Sequence, residues 1–489
     1  MRFKALMALS VSFATLACAS DGTAQTRTRS ISQSSAAQAA QQHPAIVQEF
    51  GGEVSPAVAT YVRNVGSRVT AHTNISGGAN AFRVTTLNSP VMNAFAVPGG
   101  YLYFTRQLLA LMNDEAELAS VIGHEAGHIT ARHSSERQRS NILTQLGALL
   151  VGVVTGSGQL AQVAGQAGQL YTLRYSRSQE LEADALGVRY MTAAGYDPAA
   201  SATMLASLGA WSDLEPRFSG AGGADQRSTP SWARTHPLSS ERVSRSTRAA
   251  QQTGRIGQGL RNRDQHLAAI NGMIFDDDPE QGVIEGRDFL HPDLRLAFTI
   301  PQGFQMQNGA RAVTIVGQSG QAQFSTGQFN GNLASYIGQV YQALGGQQQR
   351  IQYSQPQSTT INGIPAAYST ARVQTQQGIV DVSVVAYEFS NNQAFHFATI
   401  TRGGSGIGPF EPMVASLRRL SAQQAAAIRP RVIQVHTVRA GDTVASLAGR
   451  MAYTTYQQER FRTLNGLGAN AALRPGDRVK LVVYGTRRS

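Results

Sequence analysis

The chain has 489 residues, of which 42% are hydrophobic, so most of it can form packed cores and extensive disorder is excluded. At about 150 residues per domain, this length predicts about three domains. No uncharged apolar run reaches the roughly 18 residues of a membrane-spanning helix, and the longest internal candidate, 142–155, is too short. The net charge of +12 comes almost wholly from scattered arginines, without a nucleic-acid motif. We therefore expect no nucleic-acid partner, whereas an outer-membrane surface or cell wall stays open as an anionic partner.

Residues 1–19 have the pattern of a signal peptide, because Arg2 and Lys4 precede an apolar run that ends in small residues. This predicts an exported, periplasmic protein whose folded part lacks cysteine and forms no internal disulfide. Cys18, the only cysteine, is alternatively a lipid-attachment site, although Thr15 stands where a lipobox favours leucine. Both interpretations stay open.

Beyond this leader, composition and periodicity predict a multidomain α+β protein. Helical periodicity dominates the first half, and alternating strands with turn signals such as Asn362-Gly363 dominate the second. The predicted segments are a flexible spacer at 20–44, a mainly helical domain at 45–250, a helical connector at 251–288, an α+β domain of unknown role at 289–420, a linker at 421–434 and a small basic tail domain at 435–484.

Within the helical domain, one piece has strand character. It runs from Phe82 to Leu87 and is followed by Asn93 to Phe104, which contains the sequence Val-Pro-Gly-Gly. Pro98 lacks an N–H group for a sheet ladder, so the second stretch is predicted to be an edge strand or a bend.

The sequence His124-Glu125-Ala126-Gly127-His128 lies in a helical pattern. Histidines four positions apart share one helix face about one turn apart, so both imidazoles can bind one zinc ion. Glu125 is then placed to act as the general base toward an attacking water. The motif predicts zinc-dependent hydrolysis.

The third ligand distinguishes classes of zinc protease. A metzincin needs Gly and His where this chain has Ala131 and Ser134, and His133 is one position off, so we predict that His133 is a packing or surface histidine. A second helix supplies Glu180 and Asp184, which are four positions apart. One carboxylate can bind the metal while the other supports a ligand histidine, and spacing alone leaves open which does which.

Together, three motifs resemble metallopeptidase family 48, which includes HtpX-like and CAAX prenyl protease-like gluzincins. They are His-Glu-Ala-Gly-His at 124–128, Ser-Arg-x-x-Glu-x-Glu-Ala-Asp at 176–184, and Arg234-Thr235-His236-Pro237 with Arg242. The similarity covers roughly residues 45–250 and is greatest to the soluble periplasmic branch. It implies a mainly α-helical zincin metalloprotease domain that holds one Zn²⁺ per chain.

The resemblance also implies individual roles. The metal ligands are His124, His128 and Glu180, the catalytic base is Glu125, the supporting residues are Asp184 and Arg242, and the substrate edge strand contains Asn93, Ala94, Phe95 and Ala96. His236 stands over the zinc, where it either assists the oxyanion or caps the metal in a resting state. Since an edge strand binds backbone, the expected substrates are unfolded or extended polypeptides, in envelope quality control.

Residues 435–484 are similar to a LysM module, a βααβ fold that binds glycans containing N-acetylglucosamine. The resemblance implies peptidoglycan as a partner, with Gly441, Asp442, Thr443 and Asn465 as candidate glycan contacts. Residues 431–489 contain ten Arg or Lys and three Asp or Glu, and this net charge of +7 favours an anionic wall. We expect this tail to bind sacculi alone and its deletion to spare proteolysis. The alternative is that the tail keeps the LysM-like fold but has lost contact with a glycan ligand.

Two other functional classes stay open from the sequence. One is a non-proteolytic chaperone-like or scaffolding protein with a capped zinc site, against which the intact His124, Glu125, His128 and Glu180 argue. The other is a peptidoglycan hydrolase, which only the tail supports.

Overall fold

A computed structural model describes most of the chain. The described residues are 29–133, 175–218, 232, 236–237, 239–345, 350–375 and 378–487. The predicted signal peptide with Cys18, the apolar run at 142–155 and the motif residues Arg234 and Thr235 lie outside them. Within the described ranges, no helix is both long and apolar enough to cross a membrane.

The N-terminal part surrounds a three-stranded sheet. Its elements are α1 (Gln33–Glu49), α2 (Pro56–Thr70), a 3-10 turn (Gly78–Ala81), β1 (Arg83–Leu87), β2 (Ala94–Val97) and β3 (Tyr101–Thr105). The strand order is β1-β3-β2, with β1 parallel and β2 antiparallel to β3. Pro98 and two glycines of positive φ, Gly99 and Gly100, turn the chain between β2 and β3. The stretch from Asn93 to Phe104 is therefore a hairpin, with β2 at the sheet edge.

The expectation of a flexible spacer over 20–44 is wrong for its second half. Ser32 caps α1 by accepting a hydrogen bond from the Ser35 amide, and an alanine-rich sequence continues the helix. Ala39 and Ile46 are buried against Phe95 and Tyr103, so α1 packs on the sheet.

The helices that follow form the centre of the peptidase-like region. They are α3 (Arg106–Leu111), α4 (Glu115–Thr130), α5 (Arg177–Ala193), α6 (Ala199–Phe218), α7 (Ser240–Gln252) and α8 (Arg263–Ile270). Fifteen of the sixteen residues of α4 are buried, so this helix runs through the core rather than along its surface. The histidine motif at 124–128 therefore lies deep in the domain.

The middle region combines two β-sheets with helices. Its strands are β5 (Val283–Glu285), β6 (Asp288–His291), β7 (Leu296–Thr299), β8 (Gln305–Asn308), β9 (Val313–Gly317), β10 (Gly320–Gln328), β11 (Gln357–Ile361), β12 (Ile364–Thr375), β13 (Gly378–Ser390), β14 (Gln393–Arg402) and β15 (Arg418–Arg419). They form a seven-stranded sheet, β11-β12-β13-β14-β10-β9-β8, and a four-stranded sheet, β15-β7-β6-β5. Helices α9 (Leu333–Gly345) and α10 (Glu411–Ser416) complete the unit, and a short 3-10 turn (Pro279–Gln281) precedes it. This mixed architecture confirms the predicted α+β class.

The predicted linker at 421–434 is largely regular structure. It contains α11 (Ala422–Ala427) and the start of β16 (Arg431–Thr437). The predicted helical connector contains α8 but also β4 (Ile274–Phe275), which pairs with β16. Strand pairing between distant segments is invisible to local periodicity, so the sequence could not indicate it.

The tail has the expected βααβ order but is not an independent module. After β16 come α12 (Val444–Ala448), α13 (Gln457–Leu464) and β17 (Arg478–Tyr484). Side chains of the tail and of the helical domain share one hydrophobic core, in which Leu447, Phe461 and Leu481 join residues of α2 and α4. Deletion of the tail would open this core, which argues against the expectation that deletion spares proteolysis.

Candidate metal centre

Helices α4 and α5 cross with their backbones in close contact. A Cβ atom on Gly123 would lie 2.9 Å from the carbonyl oxygen of Gly187, and one on Gly187 would lie 2.9 Å from the backbone nitrogen of His124. Gly127, inside the histidine motif, similarly faces Ala183. Only glycine allows this approach, which brings the carboxylates of α5 beside the histidines of α4.

Both helices have strong N-terminal caps. The Asp114 side chain accepts a hydrogen bond from the Glu117 amide at the start of α4. Ser176 and Gln179 form a reciprocal capping box at the start of α5, one turn before Glu180. These caps fix where each helix begins and thereby orient the motif side chains.

Four buried side chains bring one donor atom each to a common point. They are His124, His128, Glu180 and His236, and their donor atoms lie within 4.8 Å of one another. The Nε2 atoms of His124 and His128 are 3.1 Å apart, and His236 Nδ1 is 3.3 Å from His124 Nε2. Glu180 Oε1 is 2.9 Å from His236 Nδ1 and 3.5 Å from His128 Nε2. The structure thus brings together all three predicted ligands and His236.

These distances fit a tetrahedral zinc ion. Zn–N and Zn–O bonds of 2.0–2.2 Å place neighbouring donors roughly 3.3 Å apart. His124 Nδ1 lies 2.8 Å from a carboxylate oxygen of Asp184, so that nitrogen carries the proton and Nε2 presents its lone pair. Lone pairs that converge at such distances repel one another in a buried site, and a cation removes this cost. The donor set therefore matches a metal.

Arg242 stabilises the two carboxylates of this arrangement, Asp184 and Glu180. Arg242 donates from Nε and Nη2 to the two oxygens of Asp184, each at 2.7 Å, while its Nη1 lies 2.7 Å from Glu180 Oε2. Burial would raise the pKa of Glu180, but His236, His124 and Arg242 outweigh it and hold this pKa below its ordinary value. Hydrogen bonds from Arg242 and His124 likewise overcome burial and hold the pKa of Asp184 well below its usual range. Both carboxylates are ionised, as ligand and ligand support require.

Glu125 lies beside the donors. Its carboxylate is fully buried, and Oε1 is 3.6 Å from Nε2 of His236. One helix position separates it from His124, so it approaches the metal position without being one of the four donors. This placement is compatible with the predicted role of a general base.

Sequence reasoning missed three aromatic neighbours of the donors. Tyr175 stacks on His128 with ring centroids 3.6 Å apart, and Trp232 stacks on His236 at 4.0 Å. His133, predicted to be a packing or surface residue, is buried and its Nδ1 lies 2.9 Å from Nδ1 of His128. The adjacency of Tyr175 to the Ser-Arg motif was an available signal, whereas the other two contacts depend on tertiary structure.

The predicted substrate strand lies beside the motif helix. Asn93 immediately precedes β2, and Ala94, Phe95 and Ala96 belong to it. All four side chains are buried, and in the described part of the chain β2 pairs only with β3. If β2 binds a substrate as predicted, its backbone edge and not its side chains would make the contact.

The four candidate glycan residues of the tail separate into two groups. Gly441 and Thr443 are exposed, and Asp442, which accepts hydrogen bonds from His436 and the Arg439 amide, is partly exposed beside them. Asn465, by contrast, is buried, and its amide is hydrogen-bonded to the backbone of Phe461 and Lys480. Asn465 thus supports the fold and does not face solvent as a glycan contact would.

Comparison with known proteins agrees with this geometry. Residues 56–250 match the family described as Peptidase family M48. The β-barrel assembly-enhancing protease of Yersinia pestis is 30% identical over 206 residues, which are 40% of this chain and 40% of that protein. The protein of that name from Escherichia coli K12 is 32% identical over 162 residues, 31% of this chain and 33% of the relative. The mitochondrial metalloendopeptidase OMA1 of Schizosaccharomyces pombe is 30% identical over 203 residues, 40% of this chain and 56% of the relative.

The match covers less than two thirds of each of these relatives. The family match, over residues 56–250, contains all four donors and Glu125. Residues 56–250 of this chain are a peptidase family M48 domain.

Proposed function

We propose that this chain is a zinc-dependent metalloendopeptidase. The convergence of His124, His128, Glu180 and His236 at tetrahedral spacing, with Glu125 beside them, carries the proposal. A helix that only filled a core would not need three buried histidines and a buried carboxylate with their donor atoms directed at one point.

The residues divide the work of peptide hydrolysis. When bound, zinc supplies Lewis acidity that polarises the scissile carbonyl and acidifies water. Glu125 takes the proton of the attacking water and returns it to the leaving amine. Asp184 fixes the tautomer of His124, and Arg242 holds Asp184 and Glu180 in place.

His236 closes the site in this arrangement. Its Nδ1 occupies the fourth donor position, whereas catalytic zinc sites keep one position open for water and substrate. Hence turnover requires His236 to withdraw from that position. Once it withdraws, its imidazole remains near the reacting carbonyl, where it can assist the oxyanion.

The proposed substrates are unfolded or misassembled polypeptides of the cell envelope. The backbone edge of β2 is suited to pairing with an extended chain, and this selects for conformation more than for sequence. Two further observations support the envelope: the N-terminal pattern of a signal peptide and the names of relatives that enhance β-barrel assembly.

A second proposal concerns the tail, which we infer binds peptidoglycan. The face that carries Gly441 to Thr443 and the loop around Pro475 is exposed, while the opposite side packs on the peptidase domain. Its charge of +7 favours the free carboxylates of the wall.

Metal analysis and casein digestion by the purified mature protein test the enzyme proposal. We expect about one zinc per chain and proteolysis that a chelator abolishes. Glu125→Gln should keep zinc and lose nearly all turnover, and Glu180→Ala should lose zinc as well. Asp213→Asn, an exposed carboxylate of the same domain, is the matched control and should behave as wild type.

The outcomes separate the alternatives. Undiminished proteolysis by Glu125→Gln would refute the mechanism. A zinc-loaded protein that cleaves no unfolded substrate, with His236 present or replaced, would favour the chaperone-like alternative, and release of glycan fragments from sacculi would favour the hydrolase.

A further inference from the structure

The chain reverses direction immediately after α4. The helix ends at Thr130, and Arg132 adopts a φ of 60°, in the left-handed region that non-glycine residues rarely occupy. This turn brings His133 back against the last turn of the helix, where only 2% of it is exposed. A residue held in this conformation indicates that the surrounding contacts compensate its cost.

His133 contacts a metal-donor histidine directly. Its Nδ1 lies 2.9 Å from Nδ1 of His128, and the two rings meet edge to face with centroids 5.0 Å apart. The other nitrogen of His133, Nε2, lies 3.4 Å from Oε2 of Glu182, whose side chain is largely exposed. A row of groups therefore runs from the donor site through His128 and His133 to solvent.

The protons along this row can be assigned. Nε2 of His128 faces the other donors and must present a lone pair to bind a metal, so its Nδ1 carries the hydrogen. The Nδ1–H group of His128 donates a hydrogen bond to Nδ1 of His133, so this nitrogen of His133 carries no hydrogen. The ring hydrogen of His133 is then on Nε2, which faces Glu182. The two helix histidines thus have different supports: a carboxylate, Asp184, for His124 and a neutral imidazole for His128.

We infer that His133 is a positioning residue of the metal centre. Its Nδ1 accepts a hydrogen bond from the Nδ1–H group of His128. This contact holds the imidazole of His128 in the tautomer and orientation that a metal requires. As a neutral acceptor it adds no negative charge to the buried site, which leaves a bound cation more electrophilic than a second carboxylate would. This inference rests on the proposed zinc function and assigns a role that the motif spacing did not predict.

Three substitutions at this position test the inference by zinc affinity, measured by chelator competition on the full mature chain. His133→Phe keeps a ring and removes the acceptor, so we expect zinc affinity to fall about 10–100-fold. His133→Asn places an amide oxygen close to the lost Nδ1 and should restore affinity to within about fivefold of wild type. His133→Gln extends its amide too far and should not restore it.

A second readout and a control separate positioning from stability. The visible spectrum of the Co²⁺-substituted protein should change in His133→Phe and return in His133→Asn. His266→Phe changes another fully buried histidine, hydrogen-bonded to Tyr61 and the Met112 carbonyl, and should lower the melting temperature while zinc affinity stays unchanged.

Equal zinc affinity in wild type and His133→Phe, or equal loss in the Asn and Gln variants, would overturn the inference. If His133→Phe does not fold, the comparison of Asn with Gln still decides it. Absence of zinc binding by the wild type would instead refute the proposed function on which the inference rests.

Discussion

Lys480 joins the tail to the helical domain and provides a quantitative test of that joint. Its side chain is fully buried on β17, and Nζ donates to the carbonyl oxygens of Ala110, Leu111 and Met112 at 2.8, 3.0 and 2.7 Å. These carbonyl groups lie at the C-terminal end of helix α3, where carbonyl oxygens have no hydrogen-bond donor within the helix. The substitution Lys480→Met keeps much of the volume and removes all three donors.

The expected cost follows from these contacts. A hydrogen bond to a charged group contributes about 1.5–3 kcal/mol, so three would contribute several kcal/mol together. Burial of the ammonium opposes this and lowers the pKa of Lys480 far below its ordinary value. Lys480→Met leaves buried carbonyl oxygens without this donor but also removes the buried charge, so we expect a net loss of about 1–3 kcal/mol in the free energy of unfolding.

Urea unfolding followed by circular dichroism measures this loss. Arg439→Met, at an exposed basic residue of the same tail, is a control that should leave the transition unchanged. An unchanged midpoint for Lys480→Met, or a tail that unfolds in a transition of its own, would refute the shared core.

Four further predictions concern the tail, the cap, the helix contact and one carboxyl group. Deleting residues 431–489 should yield insoluble or zinc-free protein, since apolar partners of Phe461 would be exposed; soluble, active truncated protein would contradict this. His236→Ala should raise casein turnover more than twofold if the imidazole mainly caps the site. It should lower turnover about 10²–10³-fold if the imidazole mainly stabilises the oxyanion. An unchanged rate would exclude both roles. Gly187→Ala should separate α4 from α5, weaken zinc binding and cost about 1–3 kcal/mol, whereas Gly209→Ala, with open space around its Cβ, should not. Burial raises the pKa of Asp277 to about 6. The contribution of its protonated carboxyl group to stability is therefore present below pH 4 and lost as the pH rises to 6. Thermal melts should show that Asp277→Asn stabilises the protein by about 1–2 kcal/mol at pH 7 and has no effect at pH 3.

Short-range patterns were sufficient to predict much of the metal centre. The spacing of His124 and His128 requires only one helix, and that of Glu180 and Asp184 requires only another. Such pairs lie within one turn, so local periodicity determines which side chains share a face. The order of elements in the tail followed instead from the resemblance to a LysM module.

Contacts between helices could not be derived in this way. Spacing left Glu180 and Asp184 interchangeable, and only the approach of the two helices at Gly187 shows that Glu180 faces the donors while Asp184 supports His124. His133 was predicted to be a packing or surface residue because its spacing excludes it as a ligand. A left-handed turn at Arg132 packs it against His128, and no periodic pattern predicts such a turn.

One residue in the sequence indicates the position of the tail. Basic residues elsewhere beyond the leader are arginines, yet a lysine stands at 480 within the apolar run from Val479 to Val483. Three carbonyl oxygens at the end of a helix match the three donors of a compact ammonium, whereas a planar guanidinium directs its donors along a fixed fork. A lone lysine inside a buried strand of an arginine-rich protein thus indicates a site where the geometry of the acceptors, and not the charge alone, determines the residue. Because those acceptors belong to the helical domain, the same residue indicates that the tail is part of the peptidase core.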